Sequence, residues 1–212
     1  MEVFSPRDPG LILIGLRTIA TGDGMTNDGS DHYGTIVVST DYQQQVRQQI
    51  TEMALAVTDE IGYQYGPEYD DGSSRAIDPQ TLDKLNRFLK NAKDKHIFVI
   101  GFIPPMPHAV YAEMQKHPNA SYAEAFRELP GVLKEMYAKY GFDFYDFLDP
   151  ASFGGSDNEM VNASHGSEKM YLKLFIQIAQ ESPALGPFVD LDYLKESLSK
   201  AKNDYEVFPL YP

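Results

Sequence analysis

Asn162-Ala163-Ser164-His165-Gly166-Ser167-Glu168 is a polar turn between a strand-like run, Phe142 to Phe147, and an apolar helix-like run, Met170 to Ala179. A histidine beyond the end of a strand and just before a helix is where an open α/β sheet presents reactive groups. On the upstream side, Phe142-Asp143-Phe144-Tyr145-Asp146-Phe147 alternates as a strand does, and Gly141 before it ends a helix. That helix opens at Ser121-Tyr122-Ala123-Glu124, a capping box, and carries Phe126, Leu129, Leu133, Met136 and Tyr137 inside. Pro130 is expected to bend or split it.

Further out, Asp78-Pro79 joins a capping residue to a proline at the first helical position. Leu82, Leu85, Phe88, Leu89 and Ala92 make the buried stripe of that helix. A few residues later Ile97-Phe98-Val99-Ile100-Gly101-Phe102-Ile103 reads as a buried strand stopped by Pro104-Pro105-Met106-Pro107, a helix-to-strand step of α/β architecture. Ala109 to Met114 is a short helix. Asp41 to Ile61 is a longer one, with Val46, Ile50, Met53, Ala54 and Val57 facing inward. Leu11 to Leu16 and Thr35 to Val38 are candidate strands, residues 22–31 and 62–76 are loops, and Leu191 to Lys202 is an amphipathic helix. The tail, Tyr205 to Pro212, is aromatic and expected to pack on the body or on a partner.

The fold class expected is α/β: three layers, a mostly parallel sheet and flanking helices, flavodoxin-like in plan. Only three or four strands are evident where such sheets have about five, so the sheet reads as lacking its first strands. Residues 1–182 form the domain and 183–212 a helix and tail packed on it.

The 212 residues, 42% hydrophobic and 23% charged, are enough for one domain with a real core. A net charge of -13 disfavours nucleic acid and anionic membranes as partners. The absence of cysteine removes thiol catalysis, disulfides and thiolate zinc sites. No apolar run nears the ~20 residues of a membrane helix, and Met1-Glu2 to Ser5-Pro6 lacks the pattern of a signal peptide. No phosphate, dinucleotide or zinc motif is present. Asp23, Asn27, Asp28 and Asp31 fail the EF-hand spacing, since Gly24 falls on the first ligand position. No metal or other cofactor is expected.

His165 is the leading candidate for a general base, against the plainer reading of a turn or capping histidine. Asn162, three residues earlier, is placed to hold its ring but brings no charge; in a serine protease triad such an exchange costs about 10⁴ in rate. Asp157 and Asp146 are the carboxylates that could orient it instead. His108, after Pro107 at a strand end, is a candidate substrate contact or a surface group.

Three segments together resemble the SGNH (GDSL-type) hydrolase superfamily, its cell-envelope O-acyl esterases and acetyltransferases above all. They are Gly22-Asp23-Gly24-Met25-Thr26-Asn27-Asp28-Gly29-Ser30 with Tyr33-Gly34, then Phe102-Ile103-Pro104-Pro105-Met106 with Tyr111 and Met114, and last Phe144-Tyr145-Asp146-Phe147 with Asn162 to Glu168 and Tyr171. The resemblance spans roughly residues 10–180. It places His165 on the histidine of the family's Asp-x-x-His motif and Asn162 on its aspartate. It makes Asn27 and Asp28 candidates for the oxyanion or substrate site, although Gly24 to Asn27 is one residue too long for the family's Gly-x-Asn-Asp.

The family's Gly-Asp-Ser is missing, with Gly24 where serine belongs. The chain therefore reads as the back portion of a longer member, with the serine turn expected in a segment upstream of Met1, or with Ser164 or Ser30 used in another arrangement. Two readings follow. One is an acyl hydrolase or O-acyltransferase acting on an acylated carbohydrate, weak or inactive as the chain stands. The other is a non-catalytic module of the cell envelope that binds a glycan or a protein. An extracytoplasmic location is implied by the resemblance alone.

Overall fold

The computed structural model describes residues 40–58, 77–117, 121–205 and 207–208, together with the backbone of two short strands, β1 (Asp23–Met25) and β2 (Asp31–Tyr33). The candidate strands at 11–16 and 35–38, the loop at 62–76, and Asn27, Asp28 and Ser30 lie outside the described residues. Among the described residues the chain is mixed α/β and mostly helical, with six helices and short strands in small sheets.

The helices are α1 (Thr40–Thr58), α2 (Pro79–Asp94), α3 (His108–Lys116), α4 (Ser121–Ala138), α5 (Glu168–Glu181) and α6 (Leu191–Lys200). The remaining strands are β3 (Ile100–Ile103), β4 (Asp143–Asp146), β5 (Met160–Asn162) and β6 (His165–Gly166). Sequence signals and helices agree closely. Asp78 accepts from the N–H groups of Gln80 and Thr81 at 3.0 and 3.1 Å, with Pro79 opening α2. Ser167, fully buried, accepts from the Met170 N–H at 3.3 Å and starts α5. Pro130 lies inside α4, which runs unbroken on both sides of it.

β3 and β4 pair in parallel, with Ile100 opposite Asp143 and Ile103 opposite Asp146. Helices cover both faces of this pair. Leu89 and Ala92 of α2 and Tyr137 of α4 pack with Phe142, Phe144 and Val99 on one side. Leu174 and Ile178 of α5 pack with Phe147, Tyr145 and Ile100 on the other. The remaining strand pairs, β1 with β2 and β5 with β6, are antiparallel.

Two burial expectations change. Residues 97–103 are not a strand buried throughout: β3 begins at Ile100, and Ile97, Phe98 and Phe102 stay 55%, 44% and 43% exposed. Gly101 and Ile103 face inward, because α4 lies so close that the Tyr137 ring occupies the space over Gly101. A Cβ there would meet that ring at 2.4 Å. Phe88 is 56% exposed, because the buried stripe of α2 is the narrower one through Leu85, Leu89 and Ala92.

Of the tail, Tyr205, Val207 and Phe208 are among the described residues. Tyr205 is buried against Val161, and Val207 against Leu172 and Ile176 of α5. Lys169 ties it down through Asp204 at 2.7 Å. Beside it Lys173 meets the buried carboxylate of Glu159 at 2.6 Å, linking α5 to the loop before β5.

Candidate functional site

The carboxyl ends of β3 and β4 open into two loops that stay in register beyond the strands, since the Met106 N–H donates to the Leu148 carbonyl at 3.0 Å. That bond brings the start of α3 next to the turn at 149–153. Asp149-Pro150 opens a short 3₁₀ helix, with Asp149 Oδ1 accepting from the Ala151 N–H at 2.9 Å. The same oxygen lies 2.8 Å from His108 Nδ1.

The N-cap position of α3 is Pro107, which has no side-chain oxygen to offer. The missing cap comes from far along the chain. Asp157 Oδ1 accepts from the His108 N–H at 2.5 Å, and its Oδ2 from the Ala109 N–H at 3.0 Å. His108 is thus held twice, by one carboxylate at its backbone and by another at its ring. The hydrogen bond to Asp149 raises its pKa above the ordinary histidine value, with the charges of Asp149 and Asp157 adding to the rise and partial burial opposing it. Tyr111, one turn along α3, is pushed up by burial and then by the charges of Asp149 and Asp146.

His165 sits on a different device. β5 and β6 are joined by Ala163-Ser164, with a register irregularity between Met160 and Asn162. Asn162 Oδ1 accepts from the Ser164 N–H at 2.8 Å and lies 3.0 Å from His165 Nδ1. The side-chain amide closes the turn and fixes the imidazole together, a habit of Asn in tight turns. Gly166 follows because the Met170 side chain presses on it; a Cβ would meet the Met170 sulfur at 2.6 Å. The exposed ring of His165 helps line an open cleft of about 500 Å³, with Asn162, Ala163 and Ser164 on one wall and Gln49, Glu52 and Met53 of α1 on the other.

Asp157 and Asp146, the carboxylates that the sequence offers as orienters of His165, have other partners. Asp157 caps α3, and Asp146 Oδ1 accepts from the Leu148 N–H at 3.0 Å. The group on His165 Nδ1 is the uncharged Asn162. His108 is the first residue of α3, beyond the end of β3 at Ile103, and its carboxylate partner Asp149 is not evident from sequence. The Asp149-Pro150 pair carries the same cap-and-proline signature as Asp78-Pro79 and marks a helical turn. Nothing local in it points to a histidine 41 positions away. Among the described residues no group of three or more histidine and carboxylate side chains is arranged to hold a metal ion, and no helix is long and apolar enough to cross a membrane.

Fold and site define a mixed α/β domain with two pinned imidazoles. Compared with known protein-family models, curated proteins and solved structures, the chain matches none.

Proposed function

We propose that this chain is an SGNH-hydrolase-like domain related to carbohydrate O-acyl esterases and O-acetyltransferases, built on that family's three-layer, mostly parallel sheet. The observation that carries the reading is the hydrogen bond between Asn162 Oδ1 and His165 Nδ1, 3.0 Å long, at the rim of an open cleft. A ring held at Nδ1 leaves Nε2 as the nitrogen that takes a proton from an attacking hydroxyl. The parallel pair β3–β4, with helices on both faces, supports the architecture.

Asn162 holds the ring but cannot stabilise an imidazolium by charge, so acyl transfer through His165 is slow in this chain. A carboxylate 3.0 Å from the ring would stabilise the cation by about 1 kcal/mol in water-like surroundings. That is a rate gain of about fivefold to tenfold, as a lower bound. Asn162→Asp is therefore expected to raise acetate release from an O-acetylated oligosaccharide, and the gain should vanish in Asn162→Asp/His165→Gln. A gain that survives loss of the imidazole, or no gain, refutes the reading. It would leave the second one, a glycan- or protein-binding module, which the neutral partner of His165 and the lack of Gly-Asp-Ser favour.

A further inference from the structure

We propose that His108 and Asp149 form a second proton-accepting pair, a general base that activates water or a sugar hydroxyl against the acyl carbon of an O-acylated carbohydrate. The proposal rests on the acyl-transfer reading above for its substrate class, but on a different pair of residues for its chemistry.

Of the two pinned imidazoles, His108 is the one with a charged partner. Asp149 Oδ1 lies 2.8 Å from its Nδ1, and the same oxygen is fixed by the Ala151 N–H. The backbone of His108 is anchored separately by Asp157. Position and tautomer are therefore both determined, with Nδ1 carrying the proton toward the carboxylate and Nε2 left for a reacting group. The ring is half exposed, at 51%, just beyond the carboxyl ends of the parallel strands β3 and β4, where α/β sheets bind their ligands. It does not line the cleft of His165, yet the two sites share support. Ala109 and Ala163, each beside its own site, pack on the buried cluster of Val46, Ile50, Met160 and Met170.

Two other uses of the pair fit less well. An anion at the start of α3 would meet Asp157, which already occupies those N–H groups, and Asp149, which offsets the imidazolium charge. A purely structural role does not need the imidazole, since Asp149 caps its own 3₁₀ turn without it.

In the reaction, the acceptor hydroxyl attacks the acyl carbonyl carbon and its proton passes to His108 Nε2. The new carbon–oxygen bond forms, the ester carbon–oxygen bond breaks, and the departing alkoxide takes the proton back from the imidazolium. No oxidant or further reactant is needed. Asp149 acts through the ring as a positioning and charge-stabilising residue.

The test is hydrolysis of p-nitrophenyl acetate and of glucose pentaacetate as a function of pH, by the whole chain. General-base loss is expected to lower kcat/KM about a hundredfold in His108→Gln. Activity needs the neutral imidazole, so in the wild type it rises with pH through the raised pKa of His108, which faces Asp149 and Asp157. Asp149→Asn keeps the acceptor oxygen and removes the charge, so its profile should move to lower pH with a lower plateau while the fold, read by circular dichroism, is kept. His117→Gln, at the C-cap of the same helix, should leave the rate unchanged. Full activity in His108→Gln, an unmoved profile in Asp149→Asn, or no turnover of either ester by the wild type overturns the proposal. If His108→Gln is inactive and Asn162→Asp brings no gain, the His165 reading falls and this one stands. The reverse pattern does the opposite.

Discussion

Asp157→Ala separates the two uses of this carboxylate, as a cap for α3 or as an orienter of His165. In the structure its two oxygens accept the N–H groups of His108 and Ala109, across 49 and 48 residues of chain. Losing a cap costs about 1 kcal/mol, with a range of about 0.5–2. Hydrogen bonds to a charged group are each worth about 1.5–3 kcal/mol where water cannot replace them. Water can replace them in part here, because His108 is exposed and Ala109 only half-buried. The expected cost is therefore about 1–2 kcal/mol, between the cap value and the charge-assisted one. For a chain of this size that lowers Tm by about 2–8 °C. Asp157→Asn keeps one acceptor oxygen and should lose about half as much. Urea and thermal unfolding give the numbers, and ester hydrolysis by Asn162→Asp with and without Asp157→Ala gives the second readout. An Asp157→Ala protein as stable as wild type, in which the gain from Asn162→Asp is lost, would refute the capping assignment and return Asp157 to His165.

Two further outcomes concern the frame that holds the sites. Gly101→Ala drives a methyl group into the Tyr137 ring, which is 9% exposed and packed with Leu89, Ala92 and Phe142; a loss of about 1–3 kcal/mol is expected in urea unfolding, and a neutral result would place α4 farther from β3. Lys173→Met leaves the Glu159 carboxylate, 7% exposed, without its nearest cation; about 3 kcal/mol of destabilisation is expected, recovered in part by Glu159→Gln in the same chain, and additive effects of the two substitutions would refute the coupling.

What could be read from sequence is what the chain decides locally. The cap and proline at Asp78-Pro79 and the inward face of α1 depend on neighbours within a turn or two, and the structure has them in place. The hydrogen bond between Asn162 and His165 belongs to the same class, because both residues lie in one turn three positions apart. The pattern of hydrophobic residues said that Ile97 to Phe102 belongs near a core, but not which of these side chains would be covered. That depended on where α4 and α5 came to rest against β3.

By itself, then, the sequence determined the helices, the cap of α2 and the turn that holds His165, because each rests on short-range sterics and hydrogen bonds between close neighbours. Tertiary structure alone decided the partners of His108. Asp149 and Asp157 reach it only because β3 and β4 align in parallel and their loops continue in step. Register between distant strands is set by the whole packed core and leaves no mark at the residues it brings together.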